Sequence, residues 1–245
     1  MEDGGADTAP KPPDARAAPA KPGRRSLGRA PSGVSDRFWA LLGAEPLAGR
    51  DVLDVGTGAG RVALALAPYC RRVVGLDRDG AALEEARRRA AAAALANAEF
   101  VECDAEANDD YARLAGLQHL ALVVAHLCVS DRIVENAARS LERGGALALV
   151  AFHTDQWRET GRPSRFAYDE DRLRRHLAAC GLVVEHLEVE RHVEQFGAVE
   201  EALASAIGLE ERWRSDGRWF RYVKFLEEGG RTLTRAYLIA TARRS

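Results

Sequence analysis

The segment 51–60, DVLDVGTGAG, constrains the fold of this 245-residue chain more than any other feature. A short apolar run is followed by three glycines and then by the run RVALALA, so the glycines lie between a predicted strand and a predicted helix. This context is typical of a ligand-binding loop, and a tight strand-to-helix turn without a ligand is the alternative. The segment therefore predicts an α/β fold with a binding loop after its first strand.

The spacing of the glycines and one nearby carboxylate narrow the choice of ligand. Gly56, Gly58 and Gly60 follow a G-x-G-x-G pattern, which is one residue tighter than the G-x-G-x-x-G fingerprint of dinucleotide sites. Asp54 stands two residues before Gly56, where it would repel a pyrophosphate and attract a cationic ammonium group. The loop therefore disfavours a nicotinamide-dependent oxidoreductase and favours a ligand that carries a positive charge at this point.

Two more carboxylates follow the next two predicted strands. Asp77 ends the run VVGL, and it follows Gly56 by about 20 residues, where doubly wound nucleotide-binding domains place the acid that accepts ribose hydroxyls. Asp104 follows the run FVEC and is placed to reach an adenine amino group. Because the carboxyl ends of parallel strands meet at one edge of a sheet, we expect these acids and Asp54 to share one crevice.

The rest of the chain repeats the alternation of strand and helix. Near-continuous apolar strands that alternate with helices are typical of a parallel sheet covered on both faces. After an N-cap at Ser35, which begins the first helix, we predict helices at 60–67, 80–96, 130–141 and 169–179. We predict strands at 51–55, 72–76, 99–102, 120–125, 145–152, 182–190 and 232–242.

Composition separates residues 1–33 from the rest of the chain. Alanine, proline, glycine and charged residues dominate this segment, so we predict a disordered tail at 1–33 and one domain at 34–245. The whole chain is 47% hydrophobic and 29% charged with a net charge of −2, which is typical of a globular protein. The tail has six basic and four acidic residues, which leaves the domain acidic and disfavours nucleic acid as a partner.

Other classes of protein are disfavoured by what the sequence lacks. No apolar run is long enough to cross a bilayer, and the start has no basic and apolar leader, so we expect a cytoplasmic protein without a membrane partner. The four cysteines are too far apart for a zinc-ligand pattern, so we predict no metal site. We expect them to be free thiols in a reducing compartment.

The strand-end motifs resemble those of one family, the class I S-adenosylmethionine-dependent methyltransferases. Residues 53–60 are similar to the first motif of that family, and the run VGLD at 74–77 is similar to the second. Asp104 with Ala105 is similar to the acidic position after the third strand. The resemblance is carried mainly by residues 51–145.

Two further places compare less closely with the family. The turn LERGG at 141–145 is similar to the usual L-x-P-G-G, with Arg143 in place of proline. Gln118 and His119 stand where the family often has an aromatic residue and an acid. The resemblance makes those two positions peripheral to the cofactor pocket, so the departure leaves the cofactor prediction intact.

The resemblance implies a fold and a cofactor. It implies a doubly wound, Rossmann-like sheet of seven strands, in which the last strand runs antiparallel between the fifth and the sixth. It also implies that S-adenosylmethionine binds with its methionine end at the glycine loop, its ribose at the second strand and its adenine at the third. The implied cofactor-binding residues are Asp54, Gly56, Thr57, Gly58, Gly60, Asp77, Arg78, Asp104 and Ala105.

Most of the aromatic residues lie outside the repeating core. Residues 196–231, between the last two predicted strands, are rich in them and have helical patterns at 199–207 and 219–227. Such an insertion is typical of a cap over a ligand pocket, and a helical pair packed on the sheet edge is the alternative. With the loop after the fifth strand, this region supplies the candidate substrate-binding residues His153, Trp157, Arg165 and Trp219.

Signatures for particular methyl acceptors are mostly missing. The motifs that the family uses on DNA bases do not follow the fourth strand, so a small-molecule acceptor is expected. The layout broadly resembles small-molecule methyltransferases related to ubiquinone biosynthesis or tellurite-resistance enzymes. His126, at the end of the fourth strand, is the candidate general base, and a pocket-lining histidine is the alternative. An RNA or protein methyltransferase and a non-catalytic cofactor-binding module of the same fold stay open.

Overall fold

The computed structural model describes residues 27–117 and 120–245. Residues 1–26 of the predicted tail, and the positions Gln118 and His119, lie outside the described residues. Gly28 is held by the domain, because its N–H donates to the Tyr69 hydroxyl at 3.0 Å and its carbonyl accepts from the Trp39 indole at 2.7 Å. Residues 27–33, which the sequence assigned to the tail, therefore pack against the domain.

A mostly parallel sheet forms the centre of the domain. Alternate residues of its buried strands supply two hydrophobic clusters, with Leu53 and Val55 in one and Val52 in the other, because they point to opposite faces. The strands are β1 (Asp51–Val55), β2 (Arg72–Asp77), β3 (Ala98–Glu102), β4 (Leu120–His126), β5 (Ala146–His153), β6 (Ala167–Tyr168), β7 (Leu182–Gln195) and β8 (Thr232–Arg244).

The order of the strands confirms the predicted topology. Across the sheet the order is β3-β2-β1-β4-β5-β8-β7, and the two-residue strand β6 pairs with β5 at the side. β8 runs antiparallel to both β5 and β7, whereas β1 to β5 pair in parallel. The last strand therefore lies between the fifth and sixth of the predicted strands, as the family resemblance implied.

Helices cover both faces of the sheet, and the first begins where the sequence predicts. The Ser35 hydroxyl caps it by accepting from the Phe38 N–H at 3.4 Å. The short α4 and β6 were not predicted from the sequence. The helices are α1 (Asp36–Ala44), α2 (Arg61–Leu66), α3 (Gly80–Ala92), α4 (Tyr111–Leu114), α5 (Asp131–Ser140), α6 (Glu170–Ala179), α7 (Val199–Ala206), α8 (Glu210–Asp216) and α9 (Arg218–Glu227).

β7 and β8 extend beyond the other strands and carry the inserted helices. β8 pairs with β5 only as far as Phe152–Tyr237, whereas it pairs with β7 as far as Gln195–Thr232. Because β7 runs in the direction of β1 to β5, this hairpin projects past the carboxyl edge of the sheet. The helices α7, α8 and α9 lie at its tip, within the predicted cap segment, and share a separate hydrophobic cluster. We refer to residues 196–231 as the cap.

The described residues can be compared with the sequence predictions about membrane segments and cysteines. None of the helices in the ranges 27–117 and 120–245 is long and apolar enough to cross a bilayer. The four cysteines are free thiols, and each is partly buried.

Candidate functional site

The loop between β1 and α2 turns sharply at its three glycines. Gly56, Gly58 and Gly60 have φ angles of +66°, +53° and +79°, in the left-handed region that residues with a Cβ rarely adopt. Gly60 is also the N-cap residue of α2. Each of the three alternating glycines therefore occupies a position where the backbone needs a positive φ angle.

The glycines differ in what a side chain would meet. A Cβ added at Gly56 would lie 2.7 Å from Cβ and Sγ of Cys128, and one at Gly60 would lie 3.1 Å from the Ala86 Cβ. A Cβ at Gly58 would meet nothing within 4 Å. Gly58 therefore presents bare backbone to open space, where a ligand can approach closely.

We expect Gly56→Ala to destabilise the domain more than Gly58→Ala. Both alanines must adopt the left-handed region, which costs about 1–2 kcal/mol, but only the first also meets Cys128 at 2.7 Å. Urea unfolding followed by circular dichroism measures both losses against the unchanged protein. Equal losses in the two variants would mean that Cys128 moves aside without cost.

Asp54 anchors the loop from the end of β1. Its side chain is buried, and its Oδ2 accepts hydrogen bonds from the Thr57 hydroxyl at 2.6 Å and from the Ala63 N–H at 3.1 Å. Burial raises the pKa of Asp54 to about 7, although both hydrogen bonds lower it, and the charge of Asp77 adds a smaller increase. A positive charge near Asp54 would stabilise its ionised carboxylate. The attraction of a cationic ammonium group to Asp54, which the sequence suggests, therefore agrees with this environment and stays a prediction.

Asp77 joins β2 to the glycine loop. Its Oδ2 accepts from the Gly58 N–H at 2.7 Å, and its Oδ1 accepts from the Asp79 N–H at 3.0 Å. Asp79 in turn caps α3 by accepting from two backbone N–H groups of its first turn. Arg78, between them, is exposed to solvent. The carboxylate of Asp77 therefore lies one hydrogen bond away from the most open glycine of the loop.

The third predicted acid lies at the end of β3. Asp104 is exposed, and its Oδ1 accepts from the Glu106 N–H at 2.9 Å. The carbonyl of Ala105 accepts from the Tyr111 hydroxyl at 2.6 Å and from the Asn136 amide at 2.9 Å, which fixes the backbone after the strand. Because β1, β2 and β3 are adjacent and parallel, the three acids share the carboxyl edge of the sheet.

A cleft of about 310 Å³ lies beside the end of β4 and is also lined by residues of β5, β7 and β8 and by the segment before α1. This volume is at the lower end of the range for small-molecule pockets. Val34, Leu127 and Val150 supply apolar lining. Leu127 has a φ of +64°, which is unusual for a bulky residue, and its N–H donates to the Val150 carbonyl at 2.8 Å. Strained backbone of this kind is enriched at functional sites.

His126 is on the wall of this cleft. Its half-buried ring packs against the ring of Phe38, with 5.8 Å between the centroids. Burial, helped by the positive charge of Arg61, lowers the pKa of His126 to about 4. The imidazole is therefore neutral near pH 7 and accepts a hydrogen bond, but such a weak base takes up a proton poorly. The general base role that the sequence suggested stays a prediction, and an orienting role is the alternative that this low pKa favours.

Sequence reasoning missed four side chains that line the cleft. Glu190 and His192 come from β7, and Arg235 and Tyr237 come from β8. In the strand register Glu190 lies opposite Tyr237 and His192 lies opposite Arg235. Glu190 and His192 are two residues apart, as are Arg235 and Tyr237, and residues with this spacing share one face of a strand. The sequence could therefore have indicated each pair, but it does not show which strands pair with each other.

His153 has a different environment from the one expected of a substrate-binding residue. It is buried, its Nδ1 accepts from the Asp155 N–H at 3.0 Å, and its Nε2 lies 3.2 Å from Glu170 Oε2. Because both ring nitrogens have partners, His153 fixes the turn after β5 and does not line the cleft.

The three remaining candidates for substrate binding also lie away from the cleft. Trp157 and Trp219 are buried in the hydrophobic cluster of the cap, where the Trp157 ring meets the edge of Trp213 at 5.2 Å between centroids. Arg165 is exposed, and its guanidinium lies 4.5 Å above the ring of Phe166. Trp213, Trp219 and Tyr222 of the cap therefore form its core with Trp157, because their large apolar surfaces are buried against one another.

The chain is similar in sequence to known methyltransferases. Residues 52–145 match the family described as a methyltransferase domain. Over 129 residues the chain is 28% identical to the ubiquinone/menaquinone biosynthesis C-methyltransferase UbiE of Zymomonas mobilis, covering 51% of this chain and 53% of that protein. Over 62 residues it is 45% identical to a mouse protein, tRNA (uracil-5-)-methyltransferase homolog A, covering 25% of this chain and 10% of that protein.

The fold is also similar to solved structures. The YcgJ protein of Bacillus subtilis superimposes with a TM-score of 0.62 at 18% identity, over 82% of this chain and 95% of that one. At this identity the likeness concerns the fold alone. The chain spans about half the length of the UbiE protein and a tenth of the mouse protein.

Proposed function

We propose that this chain, whose residues 52–145 match a methyltransferase domain, is a class I S-adenosylmethionine-dependent methyltransferase that transfers a methyl group to a small molecule. The observation that carries the proposal is the adjacency of the glycine loop and the cleft. Cys128 lies against Gly56 of the loop, and its neighbours His126 and Leu127 line the cleft. One short segment after β4 therefore joins a cofactor site to an acceptor site.

The residues of the loop fit S-adenosylmethionine. Gly58 offers bare backbone beside free space, and buried Asp54 is a partner for the positive charge of the methionine end. Asp77 supplies acceptors for ribose hydroxyls, and Asp104 supplies one for the adenine amino group. The remaining residues assigned to the cofactor are Gly56, Thr57, Gly60, Arg78 and Ala105.

Catalysis in this site depends mainly on alignment. S-adenosylmethionine, held by the residues of the glycine loop with Asp77 and Asp104, would supply a methyl group on a cationic sulfur for transfer to a lone pair of the acceptor. The cleft residues would hold and orient the acceptor, and such alignment accounts for several kcal/mol of the barrier in reactions of this kind. Neutral His126 accepts a hydrogen bond from the acceptor and orients it.

An RNA acceptor is the second candidate, because of the local match to the mouse tRNA methyltransferase. That match covers only 62 residues, so it does not reach both the glycine loop and the β7–β8 hairpin. The small cleft volume of about 310 Å³ and the acidic balance of the domain favour a small molecule instead.

Two measurements test the proposed function. Calorimetry is expected to detect binding of S-adenosylmethionine and S-adenosylhomocysteine but not of NAD. Incubation of the protein with methyl-labelled S-adenosylmethionine and a cell extract is then expected to label the small-molecule fraction. Label in RNA or protein would show that the acceptor is a macromolecule and not a small molecule. Cofactor binding without any labelled product would identify the chain as a non-catalytic binding module. Binding of NAD alone would overturn the proposal.

A further inference from the structure

Two opposite charges face the cleft from the extended hairpin. Glu190 of β7 and Arg235 of β8 both line it. In the strand register Glu190 is opposite Tyr237 and Arg235 is opposite His192, so the two charged residues are diagonal neighbours on one face. Diagonal positions of an antiparallel pair are about 7–8 Å apart, a separation over which one small ligand can contact both side chains.

These two charges are left almost without partners. Within the described ranges, the side chain of Glu190 is exposed and has no ion pair and no hydrogen bond. The closest carboxylate to Arg235 is Glu194, at 3.9 Å, which is too long for a hydrogen bond. Glu194 also accepts from the Ser205 hydroxyl at 2.9 Å. The guanidinium of Arg235 therefore keeps its donors for a ligand, although its side chain is only 35% exposed.

The rest of the cleft limits what can bind between these charges. Val34, Leu127 and Val150 give a short apolar surface. Two imidazole rings, of His126 and His192, and the phenol ring of Tyr237 also line the cleft. Glu190 and His192 are exposed to solvent, so the cleft is open on the β7 side. A ligand with one charge would pair with only one of the two charged side chains and leave the other to water. A ligand with both charges would match the two side chains together, and Arg235 would bind a carboxylate in a forked geometry.

We propose that the cleft selects a small zwitterion, with an ammonium group on Glu190 and a carboxylate on Arg235, separated by a short aliphatic chain. The proposal rests on the proposed function in one respect, because it treats this zwitterion as the methyl acceptor. The recognition of the two charges depends on the residues of the hairpin and not on the cofactor. Glu190 and Arg235 are then the residues that determine specificity for the acceptor.

Calorimetric titration with a matched series of compounds tests this inference. The probes are the ω-amino acids from β-alanine to 6-aminohexanoate, with butyrate and butylamine as analogues that carry one charge. Each compound is titrated with and without saturating S-adenosylhomocysteine. The affinity of the cleft for each compound is therefore measured whether or not the cofactor product binds. We expect at least one ω-amino acid to bind tenfold more tightly than both single-charge analogues.

Two substitutions identify the residues responsible. Glu190→Gln is expected to weaken binding of that amino acid at least fivefold and to leave butyrate unchanged. Arg235→Met is expected to weaken the amino acid and butyrate alike and to leave butylamine unchanged. Glu227→Gln and Arg174→Met, which alter exposed charges on α9 and α6, are the matched controls and are expected to change none of these affinities.

The outcomes separate the two proposals. If S-adenosylhomocysteine binds but no amino acid of the series binds more tightly than butyrate and butylamine, the zwitterion inference is wrong and the proposed function stands. A preference for an amino acid that survives both substitutions would also overturn the inference. If the preference is present and S-adenosylhomocysteine does not bind, the recognition is correct and the proposed function is wrong.

Discussion

Replacing Trp213 by alanine is expected to destabilise the protein by about 3–5 kcal/mol, which is the usual cost of removing a fully buried large aromatic side chain. Trp213 lies on α8 and has no exposed surface. Its ring makes edge-to-face contacts with Trp157 at 5.2 Å and with Tyr222 at 5.6 Å between centroids. The substitution therefore leaves a cavity at the centre of the cap and removes two aromatic contacts.

Phe220→Ala is the matched control for this prediction. Phe220 is an aromatic residue of the same cap, on α9, but 63% of its surface is exposed. Its replacement is expected to change stability by no more than about 0.5 kcal/mol. Urea unfolding followed by tryptophan fluorescence and circular dichroism measures both variants. A loss for Trp213→Ala no larger than that for Phe220→Ala would show that the cap is not organised around Trp213.

Replacing Asp77 by alanine is expected to weaken binding of S-adenosylhomocysteine by about 1.5–3 kcal/mol, or roughly ten- to a hundredfold in Kd. The substitution removes a charged acceptor from the proposed ribose site. It also removes the partner of the Gly58 N–H, which Asp77 Oδ2 accepts at 2.7 Å, so the loop loses one of its anchors. Calorimetric titration measures the change.

Two further variants separate these contributions. Asp77→Asn keeps an oxygen that can accept from the Gly58 N–H but loses the charge, so an intermediate loss of affinity is expected. Asp79→Ala removes the cap of α3, where Asp79 Oδ1 accepts from two N–H groups at 3.0 and 3.1 Å. This variant is expected to lower the free energy of unfolding by more than it lowers the free energy of S-adenosylhomocysteine binding. An unchanged Kd for Asp77→Ala would place the ribose site elsewhere.

The parts of the fold that depend on local pattern were predictable from the sequence. β1 was predicted with its observed bounds, Asp51–Val55, because three apolar residues lie in this short segment and the glycines that follow end it. The three glycines were singled out, and each has a positive φ. The position of the antiparallel last strand came from the family resemblance, since residue patterns alone do not give strand order.

The parts that depend on pairing between distant segments were not predictable. β7 was expected to end at Glu190, but it continues to Gln195, because backbone pairing with β8 holds residues that are polar and largely exposed. α8 was missed, since its sequence EERWRSD is short and has only one apolar anchor. The contribution of Arg235 and Glu190 to one cleft follows from the register of these two strands.

The extended hairpin of β7 and β8 has a consequence for how such a protein can change over evolution. The same two strands supply the charged wall of the cleft and hold the cap at their tip. The glycine loop and its acids belong to β1, β2 and β3, at the other side of the sheet. If the cleft binds the acceptor as proposed, substitutions or insertions in the hairpin would alter the choice of acceptor and leave the proposed cofactor residues intact. Acceptor specificity and cofactor binding can diverge as two separate modules within one continuous sheet.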